Sequence, residues 1–313
     1  MAGQPKVEKY REWALKSGFP FENETLQIIN KCVPTSSVIR NVEFETLNEE
    51  RRPTIRSIDF AVSVSKDLRN IPASGWGRGQ KEIAEVNFIV DCKYSSDESF
   101  LFTPSTRPIL RSERSWPHLV PMLIKNNFGD DVKLHRKDLV NLAKIAEHIP
   151  IGGMGRKVKE QSRERDSVAS AMIQVFQGLH EFIETKARTL GSTTTTDSNY
   201  GRNAYFFVPM IVTNAPLLLL KDQITPSDVE KAAKKDEFLS AVDAILVEMP
   251  DVFDVKEAWS RLKGVLSSSR KNLGWNEQGI TDGTILFCNP IGLESFVKSF
   301  ISEFDKLPTE ATT

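Results

Sequence analysis

A chain of 313 residues and 35.2 kDa has room for one large domain or two small ones. Hydrophobic residues make up 40% and charged residues 27%, ordinary globular usage that excludes wholesale disorder, collagen and a coiled coil. Forty-one Lys and Arg against 42 Asp and Glu leave a formal charge of −1, so the chain is no basic nucleic-acid wrapper, and any phosphate binding must use a local patch.

The longest apolar runs, FFVPMIV (206–212) and APLLLL (215–220), are broken by Thr213 and Asn214. Neither approaches the roughly 20 residues of a bilayer span, so no membrane partner is expected. The start, MAGQPKVEKYREW, is polar and lacks an apolar signal core. Cys32, Cys92 and Cys288 are widely spaced, with no CxxC pair, and the four histidines form no HExxH. A reducing, cytoplasmic setting is expected.

No internal repeat is visible. Segment 5–18 reads as a helix ending at Gly18, and 20–33 as a second, with Pro20 in its first turn. Strand candidates follow at 37–47, 54–64 and 85–94. In 54–64, Ile58, Phe60, Val62 and Val64 fall on one face by strict alternation, and Ile55, Ser57, Asp59, Ala61 and Ser63 on the other. In the third, Val86, Phe88, Val90 and Cys92 share a face. A Gly-rich loop, 73–80, separates these two strands, and 103–117 is loop-like.

An amphipathic helix is expected at 136–149, a loop turning basic at 150–165, and a long helix at 166–190 with its cap at Asp166 or Ser167. After the low-complexity stretch 191–201, a buried strand runs from 203 to near Thr213. A charged helix (226–240), strands at 244–249 and 284–289, and a terminal helix (292–307) complete the pattern. Leu293, Phe296, Val297, Phe300 and Phe304 give that helix a core-docking face. The order of elements argues an α/β fold.

The position richest in chemistry is the end of the third strand. The period of two puts Asp91 and Lys93 on one face, about 7 Å apart, with Val90 and Cys92 on the other. A carboxylate beside an ammonium can hold a cation and stabilise charge developing on a phosphate. Antiparallel pairing would bring Asp59 to the same place. Asp-x-Lys on a half-exposed strand is also an ordinary solvated face. In the second helix, Glu22 falls inside the apolar arc of Phe21, Leu26, Ile28, Ile29, Cys32 and Val33, where a carboxylate needs a partner. A salt bridge, or an acid welcomed by the first turn, accounts for it equally well.

Glu22 on a helix, Asp59 on a strand and Asp91-Cys92-Lys93 on the next resemble the PD-(D/E)xK nuclease superfamily, near Mrr-type restriction enzymes and Holliday-junction resolvases. GFPFENETLQII, SIDFAVSV, FIVDCKY, DSVASAMIQVFQGLHEF and YFFVPMIVTNAPL carry the resemblance, over about 18–100 and 165–220. Ile58 stands where the family name has Pro. The resemblance implies an αβββαβ core, a mixed sheet flanked by helices, with a helical insertion at about 100–165. It implies one nuclease-like unit over 1–225, with 226–313 as an α/β extension packing on it.

It further implies hydrolysis of phosphodiester bonds, of DNA above all, in restriction, anti-phage defence or repair. Asp59, Asp91 and the Cys92 main-chain carbonyl would bind Mg²⁺, with Mn²⁺ as a substitute. Glu22 would support a second metal or its water, and Lys93 would assist the attacking water. A homodimer, and a protein partner in a defence or repair complex, are expected by analogy. The alternative is an inactive nuclease fold serving as a nucleic-acid-binding or assembly subunit.

Arg156, Lys157, Lys159, Arg163 and Arg165 form a basic run that suits phosphate contacts, although two glutamates dilute it and a solvated helix face would look the same. The GWGRG run (75–79) reads as a hairpin connection or a loop touching a DNA groove. IGGMGRK (151–157) lacks the Gly-Lys-Ser/Thr ending of a P-loop and is not one.

Overall fold

The structure, a computed structural model, describes residues 9–11, 14, 17–34, 36–47, 53–71, 80–95, 98–105, 122–125, 145–153, 156–159, 167–192, 202–248 and 284–307. Residues 136–144 of the helix expected at 136–149, residues 193–201 of the low-complexity stretch, the Gly-rich loop at 73–79 and most of the first expected helix lie outside these residues.

Helix α1 (Phe19–Cys32) starts after Gly18, whose φ of 80° is a conformation glycine adopts without strain. It buries Phe21, Thr25, Leu26 and Ile29, a stripe at helical spacing. Strands β1 (Ser37–Leu47), β2 (Pro53–Ile71) and β3 (Gln80–Lys93) follow as an antiparallel meander. Helix α2 (Ser167–Ser192) then crosses over to β8 (Arg202–Thr213), which lies parallel to β3 along its whole length. A helical crossover is what a parallel neighbour requires.

Between β3 and α2 the described residues form β4 (Glu98–Phe102), β5 (Met122–Lys125), a 3₁₀ turn (Ile145–His148), β6 (Ile151–Gly152) and β7 (Arg156–Lys159). The insertion is thus strand-rich among the described residues, where helices were expected. Its basic segment 156–159 is a strand antiparallel to β4, not a loop. After β8 come β9 (Leu217–Leu220), the short α3 (Pro226–Lys231) and a 3₁₀ turn (Lys235–Glu237). β10 (Leu239–Val242) takes up the end of the expected charged helix. Thr225 and Asp228 cap α3 reciprocally, but α3 buries nothing, so no packing extends it. Strands β11 (Ala244–Glu248) and β12 (Thr284–Cys288) and helix α4 (Pro290–Phe304) complete the described chain.

The large mixed sheet runs β1-β2-β3-β8-β12-β11-β6, with β5 along the first half of β8 while β12 pairs with its end. A second sheet, β10-β9-β4-β7, stands beside it. Helices α1 and α4 cover one face of the large sheet. Phe60, Val62, Val86, Phe88, Val90 and Met210 meet Leu26, Ile29, Phe296 and Phe300 there. Helix α2 covers the other face through Val168, Met172 and Val175, together with Phe100, Phe102 and Leu217 of the second sheet. Residues 284–307 therefore build the same sheet as β1–β3 and one of its covering helices.

One expectation from alternation fails. Ile58 does not share a face with Phe60: it lies against Gly178 of α2, beside Phe44, whereas Phe60 belongs to the α1–α4 core. The reason is local. Arg40 pairs with Phe60 and Val42 with Ile58, but the position between them, Asn41 opposite Asp59, drops out of the ladder, and Asn41 has φ of 49°. This irregularity resets the period of two at Asp59.

Packing leaves no room at the start of α4. A Cβ on Gly292 would lie 2.0 Å from the Asp243 carbonyl oxygen. We expect Gly292→Ala to destabilise the protein by about 3 kcal/mol, read from the urea midpoint. Ile291→Ser, at a site 68% exposed, should change it by less than about 0.5 kcal/mol.

Candidate active site

The ladder between β2 and β3 stops at the pair Phe60–Val90. One step beyond, the Cys92 N–H donates to Asp59 Oδ2 at 2.5 Å, so a carboxylate stands where a strand carbonyl would accept. Asp91 is 1% exposed, and Lys93 Nζ sits 2.6 Å from its Oδ2. The two form a close ion pair, in which the ammonium is the partner of this buried oxygen and favours its charged form. The Lys93 side chain remains about a third exposed (32%), reaching from the core to the surface.

Glu22, on the first turn of α1, completes the group. The residues picked out in the sequence thus come together, with Asp59, Asp91 and Glu22 within reach of one another's charge. Burial pushes Asp91 up to about 7, the charges of Asp59 and Glu22 push the same way, and Lys93 opposes them. Asp59 is raised by burial and pulled back by the Cys92 N–H and by Lys93. Glu22 is raised by burial and by Asp59, against Arg40. The Cys92 thiol is also pushed up, by burial first, and makes no nucleophile.

The end of β3 is clamped from two sides. Thr213 Oγ1 donates to the Lys93 carbonyl at 2.8 Å and accepts from the Ala215 N–H at 3.0 Å. Asn214 exchanges two hydrogen bonds with the Ser95 backbone, at 2.7 and 2.8 Å. On the α2 side, Gln174 Nε2 donates to the Ser57 carbonyl at 2.6 Å, two residues before Asp59. Thr25, fully buried in α1, gives its hydroxyl to the Phe21 carbonyl and lies beside the Cys92 thiol. The roles of Gln174 and Thr25 are absent from the sequence reading. Thr25 leaves one trace there, a polar residue inside the apolar arc of α1.

Two acids and a main-chain carbonyl are hard oxygen donors, the set that suits Mg²⁺. Among the described residues no three His, Cys, Asp or Glu side chains form a ready-made metal cage. Mg²⁺ does not require one: it is commonly held by one or two carboxylates, with waters and substrate oxygens filling the rest. The buried Asp91 carboxylate, with the charges of Asp59 and Glu22 in range, fits such an ion. Arg156, Lys157 and Lys159 lie on β7, and Arg163 and Arg165 lie outside the described residues.

No known protein family, curated protein or solved structure matches this chain.

The raised Asp91 gives a pH signature. A carboxyl that titrates near 7 when folded and near 3.9 when unfolded binds more protons in the folded state between these values. Stability therefore falls as pH rises from about 4 to about 7 and then levels off. In EDTA, Asp91→Asn should raise the melting temperature at pH 8 and lose that advantage by pH 5. Equal gains at both values would contradict the buried-carboxylate account.

Proposed function

We propose that the chain is a metal-dependent endonuclease of the PD-(D/E)xK superfamily that hydrolyses phosphodiester bonds, those of DNA above all, in restriction, anti-phage defence or repair. The observation that carries this reading is the buried Asp91 carboxylate, paired with Lys93 and in the field of Asp59 and Glu22. A purely structural ion pair needs one acid for one base. A third and a second carboxylate drawn to the same point cost stability and are explained by chemistry. The order α1-β1-β2-β3, then α2 and β8 after the inserted strands β4–β7, supports the reading.

Bound Mg²⁺, or Mn²⁺ in its place, would supply Lewis acidity and a water that ionises near neutral pH. Asp59, Asp91 and the Cys92 carbonyl hold it. Glu22 supports a second ion or its water. Lys93, with its stem buried and its ammonium at the surface, orients the attacking water and offsets charge growing on the phosphate. The Cys92 N–H favours the charged form of Asp59 and so opposes the burial that raises its proton affinity. A homodimer would place two such sites on the two strands of a duplex, and the basic residues of 156–165 would add phosphate contacts.

A second reading is a fold of this kind without chemistry, binding nucleic acid or assembling with partner proteins. The 2.6 Å pairing of Lys93 with Asp91 favours it, because it occupies the lysine with no substrate present.

Cleavage of plasmid and single-stranded DNA in Mg²⁺ separates the two. The native chain should cut, EDTA should stop it, and Asp91→Ala and Lys93→Ala should each lower the rate at least about a hundred-fold while staying folded. Binding without cutting would favour the second reading. Neither binding nor cutting would remove the nuclease reading and leave only assembly with partner proteins.

A further inference from the structure

The acids at the end of β3 repel the phosphates of any nucleic acid that approaches them. A nuclease built on them needs a cation on the approach, and Lys93 is already committed to Asp91. Arg40 of β1 is the cation on the α1 side. It pairs across the ladder with Phe60, the residue after Asp59, and is exposed. Its Nη2 donates to Asn23 Oδ1 at 3.0 Å, and Asn23 follows Glu22 on α1. The partner that orients the guanidinium is therefore a neutral amide, which leaves its charge uncancelled at that contact. Asn41, next in the chain, carries the positive φ at the position where β1 and β2 lose their ladder pair. A guanidinium has five N–H donors, and one is spent on Asn23, so a two-pronged grip on a phosphate remains open.

We infer that Arg40 grips the phosphate next to the one being cut, and so sets the strand in register with Asp59, Asp91 and Lys93. The inference rests on the nuclease reading. The competing role is balance alone: Arg40 lowers the cost of Glu22, whose proton affinity it reduces, and never touches substrate. The two differ in salt dependence, because a phosphate contact releases counterions from the nucleic acid and an internal charge balance does not.

The test uses the full chain and labelled DNA, duplex and single-stranded. Binding is followed across a salt series without divalent ions, and cleavage in Mg²⁺. Arg40→Gln should weaken binding about ten-fold and lower the slope of log affinity against log salt by about one. It should raise KM with little change in kcat, and Arg40→Lys should restore the salt slope but only part of the binding, because an ammonium keeps the charge and loses the fork. Native affinity and native slope in Arg40→Gln would overturn the inference, as would a lower melting temperature with KM unchanged. If the native chain cuts while Arg40→Gln matches it, this inference alone fails. If the native chain neither cuts nor binds, the nuclease reading fails and takes this one with it.

Discussion

Asp59 and Asp91 are drawn out of water at the end of β3, with the half-buried Glu22 at their edge and the Lys93 ammonium beside them, and much of the surrounding structure is arranged around that crowding of charge. Burial is the first cause of the raised proton affinity of Glu22, Asp59 and Asp91 alike, and each is within the field of another. A fold selected only for stability would fill such a position with apolar residues at no loss. The chain instead ends the β2–β3 ladder there and gives the Cys92 N–H to Asp59, so that one acid is fixed by the backbone while the other pairs with Lys93.

The scaffold holds this arrangement from behind. In the middle of the sheet, Ser63 donates to Asn87, and Asn87 donates to the Phe206 carbonyl, a buried polar chain across β2, β3 and β8. Buried amides bonded in this way fix register, because a slipped strand would leave them unpaired. Thr213 and Asn214 extend the same logic to the chain just past Lys93. On the far side, Gln174 and Gly178 of α2 hold Ser57 and Ile58, the two residues before Asp59. The acids thus stand on strands pinned at both ends, the condition for a preorganised site.

Periodicity made the core visible in the sequence. Val86, Phe88 and Val90 alternate because one face of β3 meets α1 and α4, and Phe296, Val297, Phe300 and Phe304 repeat at helical spacing because α4 lies flat on that face. The convergence of Asp59, Asp91 and Lys93 followed from the same period, since antiparallel neighbours bring such residues side by side. Ile58 escaped it because the alternation is reset at Asn41 and Asp59, and one missing ladder pair leaves no mark on a hydrophobic pattern. Gln174 was illegible for another reason. Its partner is a main-chain carbonyl 117 residues away, which any sequence at Ser57 would supply. The strands of the insertion were hidden too, because short strands such as β6 and β7 take their stability from the sheets they join rather than from their own residues.

The most direct test of the central claim is a calorimetric Mn²⁺ titration of the native chain and of Asp91→Asn at pH 6.5, in buffers of different ionisation enthalpy. If the carboxylates at the end of β3 are a cation site, Mn²⁺ binds the native chain and releases protons, because Asp91 is largely protonated at that pH until the ion displaces its proton. Asp91→Asn then loses both the binding and the proton release. Equal binding by the two proteins, or none by either, would contradict the account and leave the buried acids without a cation to explain them.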